Sequence, residues 1–343
     1  MPVETHIHDG VVYRKANEIW ANDGTWRNCK EKWVCDSQNI WRKVFHRFFE
    51  YTTDIQGVNF NLRTAALATG QWDGVTPILA NLRVVGNLGA QPPAVPPYNP
   101  DYNGDNNVAR RAARAAFSNY PAFDSGNLPV GSIINLTVMP GVYLVGAGGD
   151  GGNNWNTHKG IWNDQSIIWI APWLLEDGGN GSPAIRTTVP MNITNNGIIG
   201  GGGGGGAGGA GLMAQQNWSS SSFNHFSDGG FGGGGAGYVN GKGSSGYSYQ
   251  SYWETNQLSA DGGIRYGGGG GAGYRFKSAP VGNRGGRGGD LGQNGENGGT
   301  WLNAIDRAQF PQFIRYGGTA GKAVIGSGLV TWLAYGQVYG DLA

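Results

Sequence analysis

The sequence predicts an all-β and irregular protein: an N-terminal β region followed by a sandwich of polyglycine-II helices with closing β-strands. Three observations carry that expectation. Glycine makes up 65 of 343 residues, and 37 of them fall between Gly200 and Gly299, against an average usage of about 7 per hundred. Two β-patterned phrases, starting at Ile134 and Met191, run directly into glycine tracts. The chain ends in "KAVIGSGLVTWLAYGQVYG", an apolar alternation typical of closing strands. The expected domains are a Trp-Arg repeat module at 1–50, a β-rich connecting domain at 51–195 and a glycine-helix domain at 196–343.

The wider composition narrows the function classes. Aromatics at 12% and charged residues at 14% are the reverse of a disordered chain. A net charge of +1 leaves no electrostatic footprint for nucleic acid or an anionic membrane surface. No run approaches the roughly 20 apolar residues of a membrane span, and "MPVETHIHDG" does not read as a secretory signal. Cys29 and Cys35 suffice for one small bridge but do not fill a zinc shell.

In chain order, "WANDGTWR" (20–27) and "WVCDSQNIWR" (33–42) form an imperfect duplication. Each is an apolar stretch, a polar turn and a Trp-Arg pair, which predicts small hairpins. Their tryptophans serve either a mini-core or a docking patch. Residues 82–107 are dense in Pro, Gly and Asn and predict mostly loop. "ARRAARAAF" (109–117) predicts one short helix, with its three arginines read as a solvated face rather than a phosphate site. The phrases "INLTVMPGVYLVGAGGDGG" and "MNITNNGIIGGGGGGG" share a strand–turn–strand order, an internal repeat that launches glycine segments.

The glycine tracts have three readings. A flexible linker is featureless, whereas these tracts alternate with "LMAQQNWSSSSFNHFSD", "YVNGKGSSGYSYQSYWETNQLSAD" and "WLNAIDRAQFPQFIRY". Collagen requires a strict three-residue period that the tracts do not keep. The polyglycine-II reading remains. Such helices have three residues per turn and no internal hydrogen bonds, so every amide and carbonyl needs a lateral partner. Only glycine lets backbones approach closely enough. The seven glycines at 200–206 would span roughly 22 Å at the polyproline-type rise, with Ala, Asp and Arg facing outward. A Gly→Val change inside a tract is expected to be ruinous.

At these residues the chain resembles a known family. "FDSGNLPVGSIINLTVMPGVYLVGAGGDGG", "TTVPMNITNNGIIGGGGGGGAGG" and "GKAVIGSGLVTWLAYGQVYG" are similar to segments of the fibre-tip adhesins of T-even-like bacteriophages. The resemblance covers roughly residues 120–343. It implies an N-terminal part attached to a tail or fibre shaft protein, and a polyglycine sandwich presenting loops to a bacterial outer-membrane protein or surface glycan. It also implies a place on the virion at the tail or tail-fibre tip, with no catalysis, cofactor, nucleic-acid partner or membrane insertion. Surface-polysaccharide depolymerase, structural or ice-binding glycine-helix protein, and fibre-assembly chaperone are the alternatives.

Inserts between rigid segments are where recognition usually sits, and these read like antibody paratopes in their Tyr, Trp, Ser, Gly and Asn. The candidate receptor-binding residues are Trp218, Phe223, His225 and Phe226, then Tyr247, Tyr249, Tyr252 and Trp253, then Trp301, Phe310 and Phe313. Tyr238, Tyr266, Tyr274 and Tyr316 adjoin glycine tracts and are expected to cover their flanks. Other motifs weigh less. "GAGGDG" (146–151) has dinucleotide-site spacing but no helix after it, and "NRGGRGG" (283–289) is a thin RNA-binding signal. His6 and His8 share a strand face and would bind metal only if oligomerised. No catalytic residue is assigned, although Glu176 and Asp177 form a carboxylate pair.

Overall fold

The computed structural model describes residues 48–96, 108–153, 176–209, 231–243, 259–271, 284–299 and 315–343, together with the backbone of short strands at 6–8, 13–15, 19–22, 26–29, 31–35, 41–46, 212–214 and 225–227. In the first 46 residues the described strands form antiparallel hairpins. β1 (His6–His8) pairs with β2 (Tyr13–Lys15), β3 (Ile19–Asn22) with β4 (Trp26–Cys29), and β5 (Glu31–Cys35) with β6 (Trp41–His46). Each Trp-Arg phrase occupies one hairpin, with Asn22 opposite Trp26 and Cys35 opposite Trp41.

From β7 (Phe49–Val58) onward the main pairing turns parallel. β8 (Phe60–Asn61) leads into α1 (Leu62–Ala68), whose first turn is capped by the Asn61 side chain accepting the Thr64 amide at 2.9 Å. β9 (Ile78–Gly89) and, after the short helix α2 (Val108–Ala115), β10 (Phe123–Asp124), β11 (Ile133–Val138) and β12 (Tyr143–Val145) follow. The pattern repeats as β13 (Ile185–Arg186), β14 (Met191–Asn195) and β15 (Ile198–Gly200). β16 (Leu212–Ala214) and β17 (His225–Ser227) make a separate hairpin. β18 (Val324–Ile325), β19 (Val330–Ala334) and β20 (Gln337–Tyr339) repeat the pattern a last time.

These repeats stack in register. One short parallel sheet runs β8–β10–β13–β18, and the large one runs β19–β14–β11–β9–β12–β15–β20 with β7 beside β9. The internal repeat read from the sequence is one of these steps: Ile134 lies opposite Met191 and Tyr143 opposite Ile198. Alternation explains the burial. Ile134, Leu136 and Val138 point inward from β11, as do Met191 and Ile193 from β14. The inward positions form columns: Leu82–Leu136–Ile193–Trp332 and Leu88–Leu144–Ile199–Val338. A third runs Phe60–Phe123–Ile185–Val324. On the outward positions of the same strands, Asn192 donates to Asn135 at 2.9 Å and Asn135 to Asn81 at 2.8 Å, so a polar ladder climbs the sheet.

The glycine segments leave the ends of β12 and β15 and lie beside one another. Their hydrogen bonds are lateral and follow a three-residue cycle. Gly202, Gly205 and Gly208 donate to the carbonyls of Ser182, Gly179 and Glu176. Gly203 and Gly206 donate to Ala236 and Gly233, while Gly204 and Ala207 donate to Gln293 and Glu296. The carbonyls of the same segment accept from Gly146, Gly149 and Gly152, from Gly321 and Gly318, and from Gly292, Gly289 and Gly286. Among the described residues, segment 200–208 is therefore bonded to six neighbouring glycine stretches, and Gly201 also donates to the Tyr339 carbonyl of β20. Glycine is required by contact rather than by turn geometry: a Cβ on Gly205 would lie 2.0 Å from the Asp150 carbonyl oxygen, and one on Gly201 1.9 Å from that of Gly321.

Among the described residues, segments at the rim have no backbone neighbour on one side, and side chains take its place. Asn180, Asn294 and Asn297 accept the amides of Thr319, Ala320 and Gly317, and Asp261 and Asp290 accept those of Gly243 and Gly267. Outward Asn and Asp thus satisfy backbone donors that glycine alone would leave open. The chain passes between sheet and glycine segments at 145–146, 183–185, 200–201 and 322–324. Sequence position alone does not separate the two parts.

Candidate functional site

The direction of each glycine segment follows from its bonded pairs. Stretches 146–153, 200–209, 239–243, 266–271 and 292–299 run away from the sheet, and 176–182, 231–237, 259–263, 284–290 and 315–322 run back toward it. Short turns, such as the one closed by the Gly263 amide on the Tyr266 carbonyl, therefore sit at the sheet end. They pack there with Val145, Ile198, Ala236 and Leu291 under Tyr143, Tyr238, Ile264 and Tyr339. At the opposite end, Gly152 bonds to Gly206, Gly232 to Gly152, Gly271 to Phe231, Gly285 to Gly271 and Gly299 to Arg284. The described residues flanking 154–175, 210–230, 244–258, 272–283 and 300–314 all meet at this one end.

Of the sequence-derived candidates, His225 and Phe226 fall in β17, opposite Ala214 and Met213 of β16. Trp218, Phe223, Tyr247, Tyr249, Tyr252, Trp253, Trp301, Phe310 and Phe313 lie outside the described residues, as does Tyr274. Tyr238 packs at the sheet end rather than on a flank of the glycine segments, its ring occupying the space a side chain at Gly89, the last residue of β9, would need. Tyr266 and Tyr316 are 63% and 58% exposed at opposite ends of the glycine segments.

Beneath the insert-bearing end lies a cluster that sequence reading missed. α2 was expected to present a solvated arginine face, yet Arg114 is buried, 4% exposed. Its Nη1 donates to Glu176 Oε2 at 3.0 Å, and its Nη2 donates to the carbonyls of Asp150 at 2.8 Å and Asp177 at 2.7 Å. Arg110, one turn earlier, places Nε 3.2 Å from both Glu176 carboxylate oxygens and Nη1 on the Pro96 carbonyl. Burial lowers the Arg114 pKa from its ordinary value, and the Glu176 charge opposes that shift. The i, i+4 spacing of Arg110 and Arg114 was visible in the sequence. Their partner, more than 60 residues away, was not.

The same geometry redefines the carboxylate pair. Glu176 is buried and held by two guanidinium groups, and Asp177 Oδ1 accepts the Tyr316 amide at 2.8 Å. Both carboxylates are committed to structure. "GAGGDG" enters the glycine segments, with the amides of Gly146 and Gly149 donated to Gly200 and Gly203. In "NRGGRGG" the glycines bond laterally and Arg287 pairs with Asp290 at 2.8 Å. His6 and His8 are described only as backbone, opposite Lys15 and Tyr13 of β2. Among the described residues no helix is long and apolar enough to cross a membrane.

Comparison with known proteins gives one family: phage tail fibre adhesin Gp38 matches residues 50–343. No curated protein and no solved structure matches.

Proposed function

The chain belongs to the phage tail fibre adhesin Gp38 family, and from that premise we propose that it recognises a bacterial surface receptor through the inserts gathered at one end of its glycine segments. The segments form a polyglycine-II sandwich. The three-residue cycle of lateral hydrogen bonds around 200–208 supports this, because a helix with three residues per turn presents its amides in three directions. The β stack and the hairpins at 6–46 serve attachment to a tail or fibre shaft protein at the virion's fibre tip.

One observation carries the receptor reading: the described residues flanking all five long inserts share the end remote from the sheet. Inserts on a rigid frame are the usual seat of recognition. They carry Trp218, Phe223, His225 and Phe226, then Tyr247, Tyr249, Tyr252 and Trp253, then Trp301, Phe310 and Phe313. The insert 154–175 joins them, with Trp155, Trp162, Trp169 and Trp173. Such aromatics bring broad contact area with few rotors to freeze. The target is an outer-membrane protein or a surface glycan, bound without catalysis.

Purified protein should compete with phage for adsorption to its host, and exchanging 244–258 between related phages should switch host range. Undiminished adsorption in the presence of saturating protein sinks the reading. Release of oligosaccharides from host surface polymers would replace it with a depolymerase.

A further inference from the structure

We propose that Arg114 is a positioning residue for recognition, the hub that sets the described stems of three inserts relative to one another. This rests on the reading of the insert-bearing end as the receptor-binding end. The two stems of insert 154–175 meet where the Glu176 amide donates to the Asn153 carbonyl at 3.2 Å. Arg114 Nη2 spans both stems through the carbonyls of Asp150 and Asp177, while Nη1 holds Glu176, the first described residue after the insert. A Cβ on Gly179 would stand 3.2 Å from Arg114 Nε, so the guanidinium is seated directly against the glycine backbone.

The hub reaches further through the two residues whose carbonyls it grips. The Asp150 carboxylate accepts the Lys242 amide at 2.7 Å, one residue before the last described position leading into insert 244–258. The Asp177 carboxylate accepts the Tyr316 amide at 2.8 Å, on the stem that returns from insert 300–314. One buried cation therefore fixes two peptide units, and each unit's own side chain fixes a neighbouring stem. α2, which carries Arg114 and Arg110, ties this hub to Pro96 and so to the β part of the chain. A surface ion pair would hold nothing this firmly. A buried guanidinium with three directed bonds does.

The test uses the full chain. In Arg114→Met, amide exchange at Glu176, Lys242 and Tyr316 should accelerate at least tenfold while Gly204 and Gly205 stay protected, and competition with phage for adsorption should weaken at least tenfold. If Arg114→Met does not fold, Asp150→Ala combined with Asp177→Ala keeps the guanidinium bonds and removes only the links to neighbouring stems. That pair should weaken competition, and Asp150→Asn with Asp177→Asn, which retains an acceptor oxygen at each position, should restore it. Loosened stems with unchanged competition overturn the proposal, as do stems that stay protected in Arg114→Met or an Asn pair that fails to rescue. Failure of the unaltered protein to compete is a separate result, which removes the receptor reading itself.

Discussion

Two glycines in the same set of segments should respond oppositely to one methyl group. At Gly205 a Cβ would stand 2.0 Å from the Asp150 oxygen and 2.8 Å from that of Gly149, both backbone atoms that other bonds hold in place. At Gly269 a Cβ meets nothing within 4 Å. Gly205→Ala should therefore cost about 3 kcal/mol or more, the upper range for overpacking. Gly269→Ala should change stability by less than about 1 kcal/mol, and in the stabilising direction if the unfolded chain loses more freedom. Thermal unfolding of the two variants checks both; equal loss would mean that proximity of backbones is not what selects glycine. The need for glycine was legible in the sequence, because no side chain fits between laterally bonded backbones. The buried charges were not. Glu176 sits in a turn-like context and gains its meaning only from Arg110 and Arg114, so Glu176→Ala leaves two guanidinium groups without their counter-charge. The expected cost is about 3–5 kcal/mol, measurable by denaturant unfolding.

At the scale of elements, the stacked coils show which sequence signals survive repetition. The phrases at Ile134 and Met191 were recognisable as copies because they keep both the inward apolar positions and the turn that follows. β9 and β19 occupy equivalent places in the stack, yet share only the inward columns, and a period-2 pattern is too common to mark a repeat. The asparagine ladder was readable only as two similar positions, Asn135 and Asn192; Asn81 joins them through pairing alone. Asn135 is its centre, donating to one neighbour and accepting from the other. Asn135→Ala should cost about 1–2 kcal/mol, by the usual worth of the bonds lost and the amide left unpaired. Urea unfolding of the single variant against Asn81→Ala, which breaks one bond of the ladder, should rank the centre above the end. At the rim, Asn180 accepts both the Thr319 amide at 3.1 Å and the Thr319 hydroxyl at 2.9 Å. Asn180→Ala should raise amide exchange at Thr319, and Asn180→Asp, which keeps the acceptor, should leave it near its original rate.

For the whole molecule, polarity is the property that composition concealed. Long inserts and short turns alternate strictly along 200–322, and in a set of segments that run to and fro this puts the described residues flanking every long insert at one end. The alternation is present in the sequence, but it acquires direction only once lateral bonds fix which segments are antiparallel. Tyr266 and Tyr316 turn this into a measurement, since they are similarly exposed and lie at opposite ends. With Cys29 and Cys35 replaced by serine, Tyr266→Cys and Tyr316→Cys each offer one thiol for a biotin label and a bound streptavidin. Bulk at position 316, on the stem of insert 300–314, should abolish binding of the purified protein to host cells. Bulk at position 266, beside the sheet, should leave binding within about twofold, because steric exclusion falls away once the obstacle lies on the far side of a segment roughly 20 Å long. Equal block at both positions would mean that the surface contacting the host is not confined to the insert-bearing end. Block at 266 alone would put recognition on the sheet side, with the long inserts turned away from the host.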